Sequence, residues 1–469
     1  MGARRPPGER PRDRSGPVTD PARKAALETL AAVRERGAYA NLVLPGLLRS
    51  ARLKGRDAAF ATELTYGACR AQGLLDAVIE DASGRTVDEI DGPVLDALRL
   101  GVYQLLRTRV GAHAAVDETV EAVKASSGRG AGGFANAVLR KVSKADEDAW
   151  VAKLAPSAAE DLVGHLAVQY AHPRWIADAF WDSLRANGIR SMGQLQALLA
   201  DDDARPPVHL VARPGEISAE ELALIVGGET GRLSPYAVYL PGGDPGALEP
   251  VRDGLAGVQD EGSQLIARAL AVAPLEGEDG GRWLDLCAGP GGKAALLGSL
   301  ASIDGARVDA IEPAEHRAEL VRKTTKGLPV DVHVTDGRAS GLEPGYDRVL
   351  VDAPCSGLGA LRRRPEARWR KQPDDVAQLT VLQRELLTAA AELTRPGGVV
   401  LYATCSPHVA ETIDVVTDEK LLAAAGLEPI DTRPLVPETD LPLGDGPHVQ
   451  LWPHLHGTDA MFFQAFRKS

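Results

Sequence analysis

Three stretches of the chain carry side chains whose types and spacing could do chemistry. The first is Cys287, Ala288, Gly289, Pro290, Gly291, Gly292 and Lys293, where the glycines let the backbone turn sharply and approach a ligand before a helix begins. A phosphate-cradling loop would need Gly where Cys287 stands and Ser or Thr where Ala294 stands, so that reading fails. Gly289, Gly291 and Ala294 instead fit a G-x-G-x-x-[GA] pattern, with Glu312 at the end of the next strand placed to accept from a ribose diol. That pattern is shared by dinucleotide sites and S-adenosylmethionine sites. The other two stretches are DAPCSG, which contains Asp352 and Cys355, and YATCSP, which contains Cys405.

A hydride-transfer enzyme has no use for these two cysteines. Set in turn-like segments after strands, with small, polar or Pro neighbours, they read as exposed thiols, whereas Cys69 in a helical pattern reads as a small buried hydrophobe. Thiols beside a sulfonium methyl donor point to methylation of a carbon that must first be activated. The C5 of cytosine is such a carbon: a thiolate adding at C6 turns the ring into an enamine, the enamine attacks the methyl group, and loss of the C5 proton expels the thiolate. A carboxyl at the pyrimidine edge would stabilise the developing charge, and Asp352 is placed for it.

The elements that must position these residues follow from the apolar patterning. WLDLC, RVDAIE, VDVHV, DRVLVD and GVVLYAT read as short buried strands at 283–287, 307–312, 330–334, 347–352 and 398–404, and Asp336 closes the third. Between the last two, Val376, Leu379, Leu382, Leu386 and Leu387 share one helical face. This alternation predicts an α/β, Rossmann-like domain over 256–469, a mostly parallel sheet with ligands at the carboxyl ends of its strands. Upstream, Asp20 and Pro21 look like a helix cap and first turn. Leu27, Leu30 and Val33, then Phe60 and Leu64, Leu95 to Leu106, and Val116, Val120 and Val123 form helical stripes without strand signals. An all-α bundle over 19–145 is expected, with a small α+β connecting domain over 146–255 that includes a strand-like VHLVAR at 208–213.

The length of 469 residues suits about three domains, with 44% apolar and 25% charged residues and no apolar run of the ~20 residues a membrane span needs. Four widely spaced cysteines offer no zinc or redox pair, so no metal is expected, and free thiols in a reducing cytoplasm are. Gly2 to Gly16, with five arginines, reads as part of a disordered tail over 1–18 and not a signal peptide. The net charge of −12 argues against coating nucleic acid with the whole surface, but not against a local groove. Such a groove is expected at Arg362, Arg363, Arg364, Arg368, Arg370 and Lys371, which follow the Cys355 segment with Trp369 among them.

LDLCAGPGGK, VDAPCSGLG, RRRPEARW and YATCSP resemble the RNA 5-methylcytosine methyltransferases, as do VQDEGSQL at 258–265 and DAMFFQAF at 459–466. DAAFATELTYGACR, AVDETVEAVK and GFANAVLRKV resemble the NusB-like RNA-binding fold, which narrows the resemblance to the ribosomal small subunit methyltransferase B family. That resemblance implies methylation of a cytosine in 16S rRNA, free or in the assembling small subunit, with S-adenosyl-L-methionine as methyl donor. It implies donor contacts from Cys287 to Lys293 and from Glu312, Asp336 and Asp352. It also implies Cys405 as nucleophile with Cys355 aiding turnover, whereas DNA cytosine methyltransferases attack with a Pro-Cys cysteine like Cys355. The family often has Asp where Glu312 stands, and Arg-Val-Asn where this chain has Val211, Ala212 and Arg213. The same chemistry on tRNA, and a noncatalytic RNA-binding or antitermination protein, are the competing readings.

Overall fold

Asp20 accepts a hydrogen bond from the Ala22 N–H at 3.0 Å, Pro21 occupies the first turn, and Gly37 closes the helix at φ 60°, so the helix Pro21–Arg36 starts and stops where its residue types require. The computed structural model describes residues 20–469. The arginine-rich tail expected over 1–18 lies outside the described residues. The chain divides into two units, one ending at Ala155 and the other running Pro156–Ser469.

The first unit is helical among its described residues: Pro21–Arg36, Ala40–Ser50, Gly55–Ser83, Gly92–Arg107, Ala112–Val142 and Glu147–Leu154. Its packing differs in detail from the expected stripes. On the first helix the buried face is made by Ala22, Ala25, Ala26, Thr29 and Leu30, while Leu27 and Val33 are only partly buried. Small residues let the helices approach closely, as at Gly67, where a Cβ would fall 2.0 Å from the Tyr103 ring. Gly128, at φ 86°, breaks the long helix Ala112–Val142. The helix Glu147–Leu154 belongs to this unit and not to the connecting domain expected from 146, because Trp150 is buried and its indole N–H donates to the Val142 carbonyl at 3.2 Å.

In the second unit, β1 (Val208–Ala212), β2 (Glu229–Thr230), β3 (Ala237–Leu240) and β4 (Ala256–Val258) form an antiparallel sheet in the order β2-β3-β1-β4. A domain boundary at 255 would cut β4 from its partner. The larger sheet contains β5 (Arg282–Asp285), β6 (Arg307–Ile311), β7 (Val330–His333), β8 (Tyr346–Asp352), β9 (Thr394–Thr404), β10 (Leu427–Ile430), β11 (Val449–Gln450) and β12 (Phe462–Lys468). Its order is β10-β12-β9-β8-β5-β6-β7, with β11 beside β12; β5 to β9 run parallel, and β12 lies antiparallel between β9 and β10.

Both faces of β9 are covered, which accounts for its continuous apolar run. Val399, Leu401 and Ala403 pack with Leu265, Ile266 and Leu297, whereas Val400 and Tyr402 pack with Leu386, Leu387 and Ala390 of the helix Pro373–Leu393. Each fully buried side chain of this size contributes about 1.5–3 kcal/mol. The strand starts at Thr394, earlier than the expected Gly398, because Thr394 pairs with Tyr346 before a register shift that accommodates Pro396 and Gly397. The strand order reverses between β5 and β8, so a crevice opens at the carboxyl ends of these two strands.

Candidate active site

The glycine loop leaves β5 at that reversal. The Ala288 N–H donates to the Ile311 carbonyl at 2.8 Å, the Gly291 N–H to the Ala288 carbonyl at 2.7 Å, and Gly291 caps the helix Gly292–Asp304 at φ 110°. A Cβ on Gly291 would lie 3.0 Å from Val321 Cα, and one on Gly289 would lie 2.0 Å from Glu312 Oε2, while Gly292 has no contact nearer than 3.8 Å. Two of the three glycines are therefore demanded by geometry. Glu312 is 2% exposed; its Oε1 accepts from the Ala314 N–H at 3.0 Å and its Oε2 lies 3.3 Å from Arg317, which also donates to the Gly289 carbonyl. Asp336 stands past the end of β7, not within it. Its carboxyl is held at about 2 by hydrogen bonds from Arg338.

Sequence patterning missed Asp285, which ends β5. It is fully buried, its Oδ2 has no hydrogen-bond partner among the described residues, and burial together with the charge of Asp352 pushes its carboxyl up to about 7. A buried acceptor without a donor, beside a loop whose glycines leave no room for side chains, fits a small ligand that brings its own cationic group. Cys287 is no candidate nucleophile, since burial and the carboxylates of Asp285, Asp352 and Glu312 push its thiol up.

The two turn cysteines meet at the same crevice. Cys355 follows β8 and Cys405 follows β9, and their Sγ atoms stand 3.4 Å apart as free thiols. Their electrostatics differ. The contact with Cys355 lowers the Cys405 thiol against burial and Asp352, with Lys293 and Arg364 adding positive charge. The contact with Cys405 raises Cys355, as do burial and the charges of Glu411 and Asp352. Lys293 donates to Asp352 at 2.9 Å; burial works against its charge, but Asp352, with Cys405 and Asp285, offsets burial and raises the ammonium above its ordinary range. Sequence reasoning also missed Glu411, Ser356, Ser406 and Gln383, which bond together behind the thiols. The repeated Cys-Ser pair in DAPCSG and YATCSP was the available signal for the serines.

The basic run is largely not the expected free surface. Arg362, 2% exposed, donates to Asp459 at 3.1 Å, Asp201 at 3.2 Å and the Gly457 carbonyl at 2.6 Å. Arg363 donates to Asp260 at 2.8 Å and Asp459 at 2.9 Å. Arg368, with no exposure, pairs with Asp202 at 2.9 Å and donates to the Ala171 carbonyl at 2.9 Å. These three guanidiniums are consumed by internal carboxylates and carbonyls, which corrects their assignment as phosphate contacts. Arg364 is exposed, and Trp369, Arg370 and Lys371 are partly buried. Among the described residues no cluster of His, Cys, Asp and Glu could hold a metal ion, and no helix is long and apolar enough to cross a membrane.

A parallel core that reverses at a glycine loop, continued by an antiparallel strand between its last two neighbours, is the frame of a Rossmann-like methyltransferase. Residues 270–467 match the family described as 16S rRNA methyltransferase RsmB/F, and residues 20–144 match the NusB family. A protein of Mycobacterium tuberculosis H37Rv named as a methyltransferase is 63% identical over 96% of this chain and 97% of its own length. The ribosomal RNA small subunit methyltransferase B of Pseudomonas putida is 34% identical over 84% of this chain and 87% of its own. The crystal structure of PH0851 shares the fold, with a TM-score of 0.77 at 22% identity, covering 96% of this chain and 99% of that one. The chain belongs to the ribosomal RNA small subunit methyltransferase B family, for which S-adenosyl-L-methionine is the methyl donor.

Proposed function

We propose that this protein methylates C5 of a cytosine in 16S rRNA through a covalent bond between Cys405 Sγ and C6 of the base. The observation that carries this reading is the pair of thiols 3.4 Å apart beside the glycine loop, with the contact between them lowering Cys405 and raising Cys355. The thiolate is the nucleophilic form, so the lowered thiol is the one suited to attack.

S-adenosyl-L-methionine supplies an electrophilic methyl group when bound, and the loop Cys287–Lys293 with Asp285, Glu312, Asp336 and Asp352 are the residues that would hold it. Cys405 adds to C6, which makes C5 nucleophilic. Asp352, paired with Lys293, accepts from the amino edge of the pyrimidine, and the Lys293 ammonium offsets the negative charge that the addition places on the ring. Once Cys405 Sγ is bonded to carbon its negative charge is gone, and with it the largest influence raising Cys355. Cys355 can then give up its proton to solvent, take up the C5 proton as thiolate and let the C6–S bond break, the bonding electron pair returning to Cys405. The NusB-like bundle, Arg364, Trp369, Arg370 and Lys371 contribute RNA contacts in this reading.

Bisulfite sequencing of rRNA and tRNA from a deletion strain tests the substrate. Loss of one 16S rRNA methylcytosine is the expected result. Loss of a tRNA site instead overturns the rRNA assignment, and failure of the purified protein to bind S-adenosyl-L-methionine by calorimetry favours a noncatalytic RNA-binding protein.

A further inference from the structure

Glu411 is fully buried in the short turn Val409–Glu411, beyond Cys405, and its carboxylate receives donors from three separate elements. Oε1 accepts from the Ser356 N–H at 2.7 Å and from Gln383 Nε2 at 3.1 Å. Oε2 accepts from the Ser406 hydroxyl at 2.6 Å and from the Ser356 hydroxyl, and the two hydroxyl oxygens stand 2.9 Å apart. Gln383, on the helix Pro373–Leu393, also donates to the Pro354 carbonyl at 2.9 Å, and the Tyr402 hydroxyl donates to the Glu411 carbonyl at 2.8 Å. Ser356 and Ser406 are the residues that follow Cys355 and Cys405.

We infer that Glu411 is a positioning residue that sets the separation and facing of the two thiols by tying the loop after β8 to the loop after β9. The inference rests on the reading of Cys405 and Cys355 as working partners. Ionised, the carboxylate is acceptor-only and has room for all four donors at once. Alanine at this place would leave the Ser356 N–H and the amide of Gln383 short of a buried acceptor and remove the carboxylate that joins the two Cys-Ser segments beyond the Gly359 N–H to Cys405 carbonyl bond. Glutamine keeps one acceptor for the Ser356 N–H and turns an NH2 toward two hydroxyls that can accept. It should therefore preserve the clamp without the charge.

Phenylarsine oxide reads thiol separation directly. Its arsenic forms two As–S bonds while its oxygen leaves as water with both thiol protons, and no oxidation is involved. The full-length protein should take up one arsenical that resists excess monothiol, and Cys355→Ser or Cys405→Ser should abolish it. Glu411→Ala should lose this adduct and about a hundredfold in kcat, the scale expected when reacting groups are misplaced by about 1 Å, with KM for RNA unchanged. Glu411→Gln should keep the adduct and most of kcat, a rescue that a need for the negative charge alone would not produce. If Glu411→Ala fails to fold, Ser356→Ala with Ser406→Ala removes both hydroxyl links and is expected to give the same loss. Retention of the adduct and of wild-type kcat in the folded Glu411→Ala protein, or in the double serine variant, overturns the inference. Wild-type protein that binds the arsenical yet transfers no methyl group counts against the functional reading, and the comparison of adducts still decides the role of Glu411.

Discussion

Arg368→Met removes a guanidinium that is wholly inside the protein while keeping most of the side chain's length. The interactions lost with it include the pair with Asp202 Oδ2 at 2.9 Å and donations to the carbonyls of Ala171 at 2.9 Å, Asp202 at 3.1 Å and Tyr170 at 3.4 Å. The Asp202 side chain is 2% exposed, so its charge would be left buried with His172 Nε2, at 2.9 Å, as its remaining side-chain partner. Breaking a buried pair in this way costs about 3–5 kcal/mol. At about 2–4 °C per kcal/mol for a domain of some size, the melting midpoint should fall by roughly 10 °C by calorimetry. Burial, and after it the charge of Arg368, holds the His172 imidazole below its ordinary range, so removing Arg368 makes it easier to protonate and to pair with Asp202. The deficit should therefore shrink as the pH is lowered. Adding Asp202→Asn should recover a large part of the loss by removing the orphaned charge. A variant that melts with the wild type and instead loses RNA affinity would refute the internal role and return Arg368 to the nucleic-acid surface.

Gly289→Ala should weaken S-adenosyl-L-methionine binding by at least about tenfold in calorimetry, or roughly 1.4 kcal/mol, because its Cβ would displace Glu312 Oε2 and Arg317. Gly292→Ala, with open space around it, should bind nearly as the wild type. Arg364→Ala should weaken RNA binding and lower the salt slope by about 0.7, the single-strand value for one phosphate contact, without altering donor affinity. Burial holds His448, His454 and His456 down to about 4, so each is neutral in the folded protein where the unfolded chain, at 6.5, binds a proton. Their contribution is full above pH 6.5 and is lost as pH falls toward 4, with an upper bound of about 3 kcal/mol each. Melting midpoints of a His448→Gln variant should accordingly be less sensitive to acid over that window than those of the wild type.

The end of β9 was legible because burial on both faces leaves an unbroken apolar run, β5 to β8 because their short apolar pairs alternate with helical segments, and the glycine loop because close backbone approach admits few other residues. Cys355 and Cys405 could be assigned to strand ends, but only the pairing of β8 with β9 brings them to 3.4 Å. Long-range ion pairs leave no local trace. In sequence, Arg362, Arg363 and Arg368 are indistinguishable from a phosphate-binding run, since their partners Asp201, Asp202, Asp260 and Asp459 lie on distant segments. Glu411 was hidden for the same reason. The small antiparallel sheet escaped because β2 and β4 have only two and three residues, too few for alternation to register.

Denaturing gel electrophoresis of the protein incubated with labelled target RNA and S-adenosyl-L-methionine separates the two thiols by their work. Cys405→Ala should transfer no methyl group and form no covalent adduct. Cys355→Ala should still attack but release slowly, so that a protein and RNA adduct accumulates and survives denaturation. An adduct that appears with Cys405→Ala and vanishes with Cys355→Ala would contradict the account, making Cys355 the nucleophile although the contact between the thiols lowers Cys405 and raises Cys355.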